Sequence, residues 1–129
     1  MGGEGQIITD ETVAQQAALD EAIKSGFSIL ADCYVNKDLV QILKMTLDPT
    51  EPARVRLKAA EMTGDLADTE AIDFLRNTKF GMAKLQEAAD EAMKKIHTRC
   101  FTRDCPFCAE IIKKQAKVCK HCGKEVAGL

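Results

Sequence analysis

Three features of the 129-residue sequence predict an all-α body carrying a small metal-stapled module at its C-terminal end. Hydrophobic residues make up 46% of the chain but aromatics only 5%, and Trp is absent. A core must then be built from Ala, Leu, Ile, Val and Met, a mixture that favours helix over sheet. Apolar residues recur at three- and four-residue spacing from Val13 to Ile96. Four of the six cysteines then fall close together, as Cys105-x-x-Cys108 and Cys119-x-x-Cys122.

Residues 1–8, MGGEGQII, are glycine-rich and offer little to pack, so they are expected to be a flexible lead-in. Thr9 or Asp10 can cap a first helix whose stripe is Val13, Ala14, Ala17, Ala18, Ala22 and Ile23. Gly26 ends or bends it, and FSILADCYV continues as buried helix to about Tyr34, with Cys33 as a small hydrophobe. Asn36 is the expected cap of a second helix that buries Leu39, Val40, Ile42, Leu43 and Leu47 and stops at Asp48-Pro49. Thr50-Glu51-Pro52 opens a third, to about Leu66, because proline is harmless in a first turn whose N–H groups lack helical partners. Its small pair Ala60 and Gly64, four residues apart, would let another helix approach closely. Asp68 caps a short fourth helix with the stripe Ala71, Ile72, Phe74 and Leu75. A fifth, from about Met82 to His97, carries Leu85, Ala88, Ala89, Ala92, Met93 and Ile96.

DPTEPARVRLKAAEMTGDLADTEAIDFLRN resembles a HEAT-like repeat: Asp48-Pro49 opens the turn, Val55 and Ala59 mark one helix, and Ala71, Ile72 and Leu75 the next. Leu39, Val40 and Ile42 align with Ala71, Ile72 and Phe74, and Leu85 with Ala89 echoes Val55 with Ala59. The resemblance implies a short helical solenoid over residues 9–97. In such a solenoid no helix pair buries its apolar face alone, and the surface serves partners rather than chemistry.

Residues 98–102 are expected to act as a hinge, 103–126 as a separate module and 127–129 as a tail. Two Cys-x-x-Cys turns facing each other supply the four thiolates that tetrahedral Zn²⁺ prefers, which makes Cys105, Cys108, Cys119 and Cys122 the metal ligands. The segment resembles the short bacterial zinc ribbons found attached to unrelated domains, with Pro106 after the first cysteine and Gly123 after the last. Gly123 suits a knuckle that needs positive φ, whereas Ala109 in the matching place predicts a less regular first turn. One structural Zn²⁺ is the expected cofactor, with iron or a disulfide as alternatives. His121 reads as an exposed knuckle residue, Cys100 as a linker thiol and His97 as a helix-end histidine.

Formal charge divides unevenly along the chain. Residues 1–97 hold 11 Lys or Arg against 17 Asp or Glu, or −6, and residues 98–129 hold 7 against 3, or +4. Four thiolates on one Zn²⁺ would lower the latter to about +2. No stretch is apolar enough to span a membrane and MGGEGQ lacks a signal-peptide pattern, so a cytoplasmic location is expected. With no phosphate loop, no recognisable carboxylate pair and only two histidines, a non-enzymatic protein-interaction role is expected. The alternatives are a nucleic-acid-associated protein, using Lys113, Lys114, Lys117, Lys120 and Lys124 with Phe107, and a thiol redox protein.

Overall fold

The computed structural model describes residues 10–127; the lead-in expected at 1–8 and the last two residues of the tail lie outside them. Five helices, α1 (Asp10–Asn36), α2 (Leu39–Leu47), α3 (Ala53–Leu66), α4 (Glu70–Asn77) and α5 (Ala83–Cys100), precede two short strands, β1 (Thr102–Asp104) and β2 (Ile111–Lys113). The fold is thus mostly helical, with one small sheet. No helix among the described residues is long and apolar enough to cross a membrane.

Each helix ends where its residues dictate. α1 runs unbroken through Gly26, because the missing side chain there is filled by α3: a Cβ on Gly26 would meet Val55 Cγ2 at 2.6 Å. It stops at Lys37, which adopts the left-handed conformation at φ 55°. Lys37 N–H bonds to Tyr34 O and Asp38 N–H to Cys33 O, the paired bonds of a Schellman cap. Asn36 is therefore the last residue of α1, and Asp38 caps α2 instead, its Oδ1 accepting from Gln41 N–H. Asp48 ends α2, with its Oδ1 accepting from both N–H and hydroxyl of Thr50. Pro52, extended at ψ 144°, leads into α3.

α3 packs on α1, α2 and α5, α2 also packs on α1 and α4, and α4 packs on α5. The helices bury two apolar clusters. Leu30, Ile42, Met45, Val55 and Ala59 centre the first, and Ile72, Leu75, Leu85, Ala89 and Ile96 the second. Val40 and Phe74, expected in the buried stripes, are exposed, since α2 and α4 are covered on one side only and Ile42, Met45, Ile72 and Leu75 occupy that side.

Polar groups join the core where the pattern of apolar residues gave no hint of them. Thr46 and Thr63 are buried with their hydroxyls 3.3 Å apart, each able to donate to the carbonyl four residues back in its own helix. Buried Arg56 donates to Thr46 O (3.0 Å) and Leu47 O (3.4 Å), satisfying carbonyls that the end of α2 leaves open. Its guanidinium also lies 5.5 Å from the centre of the Phe80 ring.

Candidate metal centre

Two turns of nearly identical backbone build the site. In the first, Cys105 N–H bonds to Glu110 O (2.8 Å) and Ala109 N–H to Cys105 O (2.9 Å). In the second, Cys119 N–H bonds to Lys124 O (3.0 Å) and Gly123 N–H to Cys119 O (2.7 Å). Ala109 (φ 64°) and Gly123 (φ 77°) take the same left-handed conformation, so the first turn is as regular as the second despite its Cβ. Each turn then aims a further N–H at a sulfur: Phe107 N–H at Cys105 Sγ (3.4 Å) and His121 N–H at Cys119 Sγ (3.3 Å). His121 thus serves the site through its backbone.

None of the six cysteines is joined in a disulfide. The sulfurs of Cys105, Cys108, Cys119 and Cys122 lie within 4.8 Å of one another, a cluster that could hold a metal ion such as zinc. Across the two turns, Cys105 Sγ lies 3.8 Å from Cys122 Sγ, and Cys108 Sγ 3.6 Å from Cys119 Sγ. A tetrahedron with Zn–S bonds of about 2.3 Å has sulfur–sulfur edges of about 3.8 Å, whereas a disulfide needs about 2.05 Å. The donor set therefore fits a tetrahedral thiophilic ion.

Burial and hydrogen bonding set the sulfurs apart electrostatically. Burial works upward on the Cys105 thiol, but the N–H groups of Cys108 and Phe107, with the neighbouring thiols of Cys108 and Cys119, bring it down to about 6. The Glu110 N–H favours the Cys108 thiolate, yet burial and the thiols of Cys105, Cys119 and Cys122 push that thiol up to about 12. Cys119 is also opposed by burial and carried below its ordinary value by the N–H groups of Cys122 and His121. Four sulfurs this close do not all ionise unaided, so a cation is the natural counterweight.

A small core of its own surrounds the cluster, in which Cys105 and Cys119 pack with Ile112 and Val126. β1 and β2 pair antiparallel, Thr102 with Lys113, Arg103 with Ile112 and Asp104 with Ile111. Side chains alternate along a strand, so Ile112 enters the module while Ile111 packs against the cluster around α4 and α5. Arg103 is committed to structure, donating to Lys114 O, Ala116 O and Val126 O.

The segment expected as a hinge, 98–102, is the last turn of α5, the left-handed corner Phe101 and the first residue of β1. Non-local contacts hold it. Arg99 donates to Gly64 O (2.7 Å) and Ala67 O, closing carbonyls at the end of α3. His97 Nδ1 and Thr102 Oγ1 share a hydrogen bond at 2.8 Å, and His97 Nε2 lies 3.3 Å from Asp104 Oδ1 without hydrogen-bond alignment. Arg76 on α4 donates to Ala109 O (2.6 Å) and reaches Asp104 at 3.6 Å. The module is thereby seated on the helices.

Replacing Arg76 with alanine is expected to loosen that seat without unfolding either part. A part-exposed pair contributes under about 1 kcal/mol, so global stability should fall by no more than that. Amide exchange across residues 104–112 should quicken up to about five-fold, as mass spectrometry would read it. Unchanged exchange there would leave Ile111 as the contact that holds the module.

No protein family, curated protein or solved structure matches the chain. Of the other residues singled out in the sequence, Phe107 is exposed with Lys124 Nζ 4.9 Å from its ring centre, and Cys33 is buried beside Leu30 and Ile42. The structure keeps His97 and Cys100 outside the four-sulfur cluster. Sequence reasoning missed Arg76 and Asp104, whose role depends on contacts far apart along the chain.

Proposed function

We propose that Cys105, Cys108, Cys119 and Cys122 hold one structural Zn²⁺, and that the protein is a non-enzymatic adaptor whose short HEAT-like helical stack and zinc ribbon dock on other proteins. The observation that carries the metal assignment is the pair of sulfur contacts at 3.6 and 3.8 Å, the edge length of a tetrahedral thiolate site. A set of four protein ligands leaves no open position for water or substrate, which favours a structural ion over a catalytic one. The serial packing of α1 on α3 and of α3 on α5 favours the solenoid reading, and the exposed Val35, Val40 and Phe74 favour a surface that serves partners.

Metal analysis of untagged protein tests the first half, with about one zinc per chain expected. Iron in the same geometry would show as colour, and a chain with an ordered module but little metal would overturn the assignment. For the second half, capture of partners from the native cell is compared between the wild type and a Cys105→Ser, Cys108→Ser variant. Reproducible absence of any partner would overturn the adaptor role.

A further inference from the structure

The zinc ribbon bears an open groove of about 720 Å³ between β2, the corner at Phe101 and the loop at Val118. Its apolar side is unusually bare, with Phe101 73% and Val118 53% exposed. Phe101 is also held in the left-handed conformation at φ 56° by a bond from Lys114 N–H to its carbonyl (2.8 Å). Such backbone costs about 1–2 kcal/mol for a side chain with a Cβ, and here it fixes an aromatic ring at the groove mouth. Lys113, Lys114 and Lys120 add positive charge to the lining, and no carboxylate among the described residues contributes to it. An occupant must bring both negative charge and apolar groups.

The first turns of α1 bring both. Residues 11–22 are exposed throughout, ahead of the contacts that Gly26 and Leu30 make with the body. Glu11, Asp20 and Glu21 lie on this arm, and no basic residue occurs on it before Lys24. Val13, 54% exposed, shares a helix face with Ala17 and Asp20. Twelve helical residues span about 18 Å.

We propose that the groove receives the N-terminal arm of α1 from a second copy of this chain, so that copies join head to tail with the groove lysines facing the carboxylates of Asp20 and Glu21 beside Val13 and Ala17. The acidic body and basic C-terminal region orient the encounter in the same sense. Because arm and groove are different surfaces, the contact is heterologous and builds either a closed ring or an open chain. A single aromatic ring in the lining favours this helix over a nucleic acid, which would call for successive stacking platforms. The inference rests on the ribbon being folded around its metal as proposed above.

Sedimentation velocity on the intact, metal-loaded chain tests it. Concentration-dependent assembly is expected at about 0.05 M NaCl and should weaken at least about ten-fold by about 0.5 M, as screening shortens the reach of exposed charges. Reversing the arm (Glu11→Lys, Asp20→Lys, Glu21→Lys) or the groove (Lys113→Glu, Lys114→Glu, Lys120→Glu) should give monomers with unchanged helical content. Mixing the two variants should restore assembly, since each arm then matches the other's groove. Assembly that survives either reversal, or a wild type that stays monomeric, overturns the proposal. So does a monomer that retains a single-stranded DNA oligonucleotide through the three lysines, which would assign the groove to nucleic acid. Metal content of the same samples separates the two readings: a zinc-loaded monomer overturns the docking alone, whereas a metal-free chain overturns the metal assignment whatever its assembly state.

Discussion

Replacing Cys119 and Cys122 with serine is expected to melt residues 101–127 while leaving the helical stack folded. The reason is the size of the module's core. Its fully or nearly buried apolar residues are Cys105, Ile112, Cys119 and Val126, and two of those four belong to the four-cysteine cluster. Its sheet consists of two strands of three residues. A two-stranded ribbon with so little to bury is not stable alone, and the ordering of each residue costs about 1–2 kcal/mol. Zinc bound to four thiolates supplies about 10–16 kcal/mol of apparent binding energy, which in such a module is folding energy. In the variant, amide dispersion and exchange protection should vanish from the ribbon, and a strong chelator should do the same to the wild type. Helical circular dichroism should persist, because Leu30, Ile42, Ile72 and Leu85 are buried independently of the metal site. Ribbon amides that stay dispersed and protected in the serine variant would show that the module folds without its ion.

What could be read in advance divides according to the range of the interaction. The knuckles were legible because their chemistry is local: the Cys-x-x-Cys spacing places two sulfurs on one turn, and Gly123 occupies the position of positive φ. The helices were legible because a period of 3.6 residues shows within a dozen residues of any point, and Asp48-Pro49 marks a stop. Faces were less so. Periodicity alone places Phe74 with Ala71 and Leu75, but the neighbouring α5 covers only part of that arc and leaves Phe74 in solvent. Gly26 shows the same limit, for a glycine that ends a helix and one that admits Val55 look alike until the distant partner is known. The expected hinge failed to anticipate Arg76, Arg99 and His97, each of which reaches across the junction to a group its own surroundings do not reveal.

Substituting Gly64 by alanine should destabilise the helical stack by about 1–3 kcal/mol, against the ordinary trend. In an exposed helix interior the same change gains up to about 1 kcal/mol, because glycine has the greater backbone freedom to lose. Here α3 lies so close to α5 that a Cβ on Gly64 would sit 2.8 Å from Ala92 Cα and 3.1 Å from Ala92 Cβ. The first of those atoms is backbone and cannot turn aside, so α5 itself must move. That movement would strain the bond from Arg99 to Gly64 O and disturb the packing of Ala89, Ala92 and Ile96, which leads directly into the seat of the four-cysteine module. At roughly 4–8 °C per kcal/mol for a domain of this size, the melting midpoint should fall visibly. Gly81→Ala provides the contrast, since Gly81 (φ 76°) has nothing within 4 Å of its notional Cβ and would show the backbone penalty without a clash. Shortening the opposing side chain with Ala92→Gly should recover only part of the loss, because the backbone of α5 still stands in the way of the new methyl group. Gly64→Ala as stable as the wild type would mean that α5 slides on α3 at little cost, and that the small pair Ala60 and Gly64 does not fix their approach.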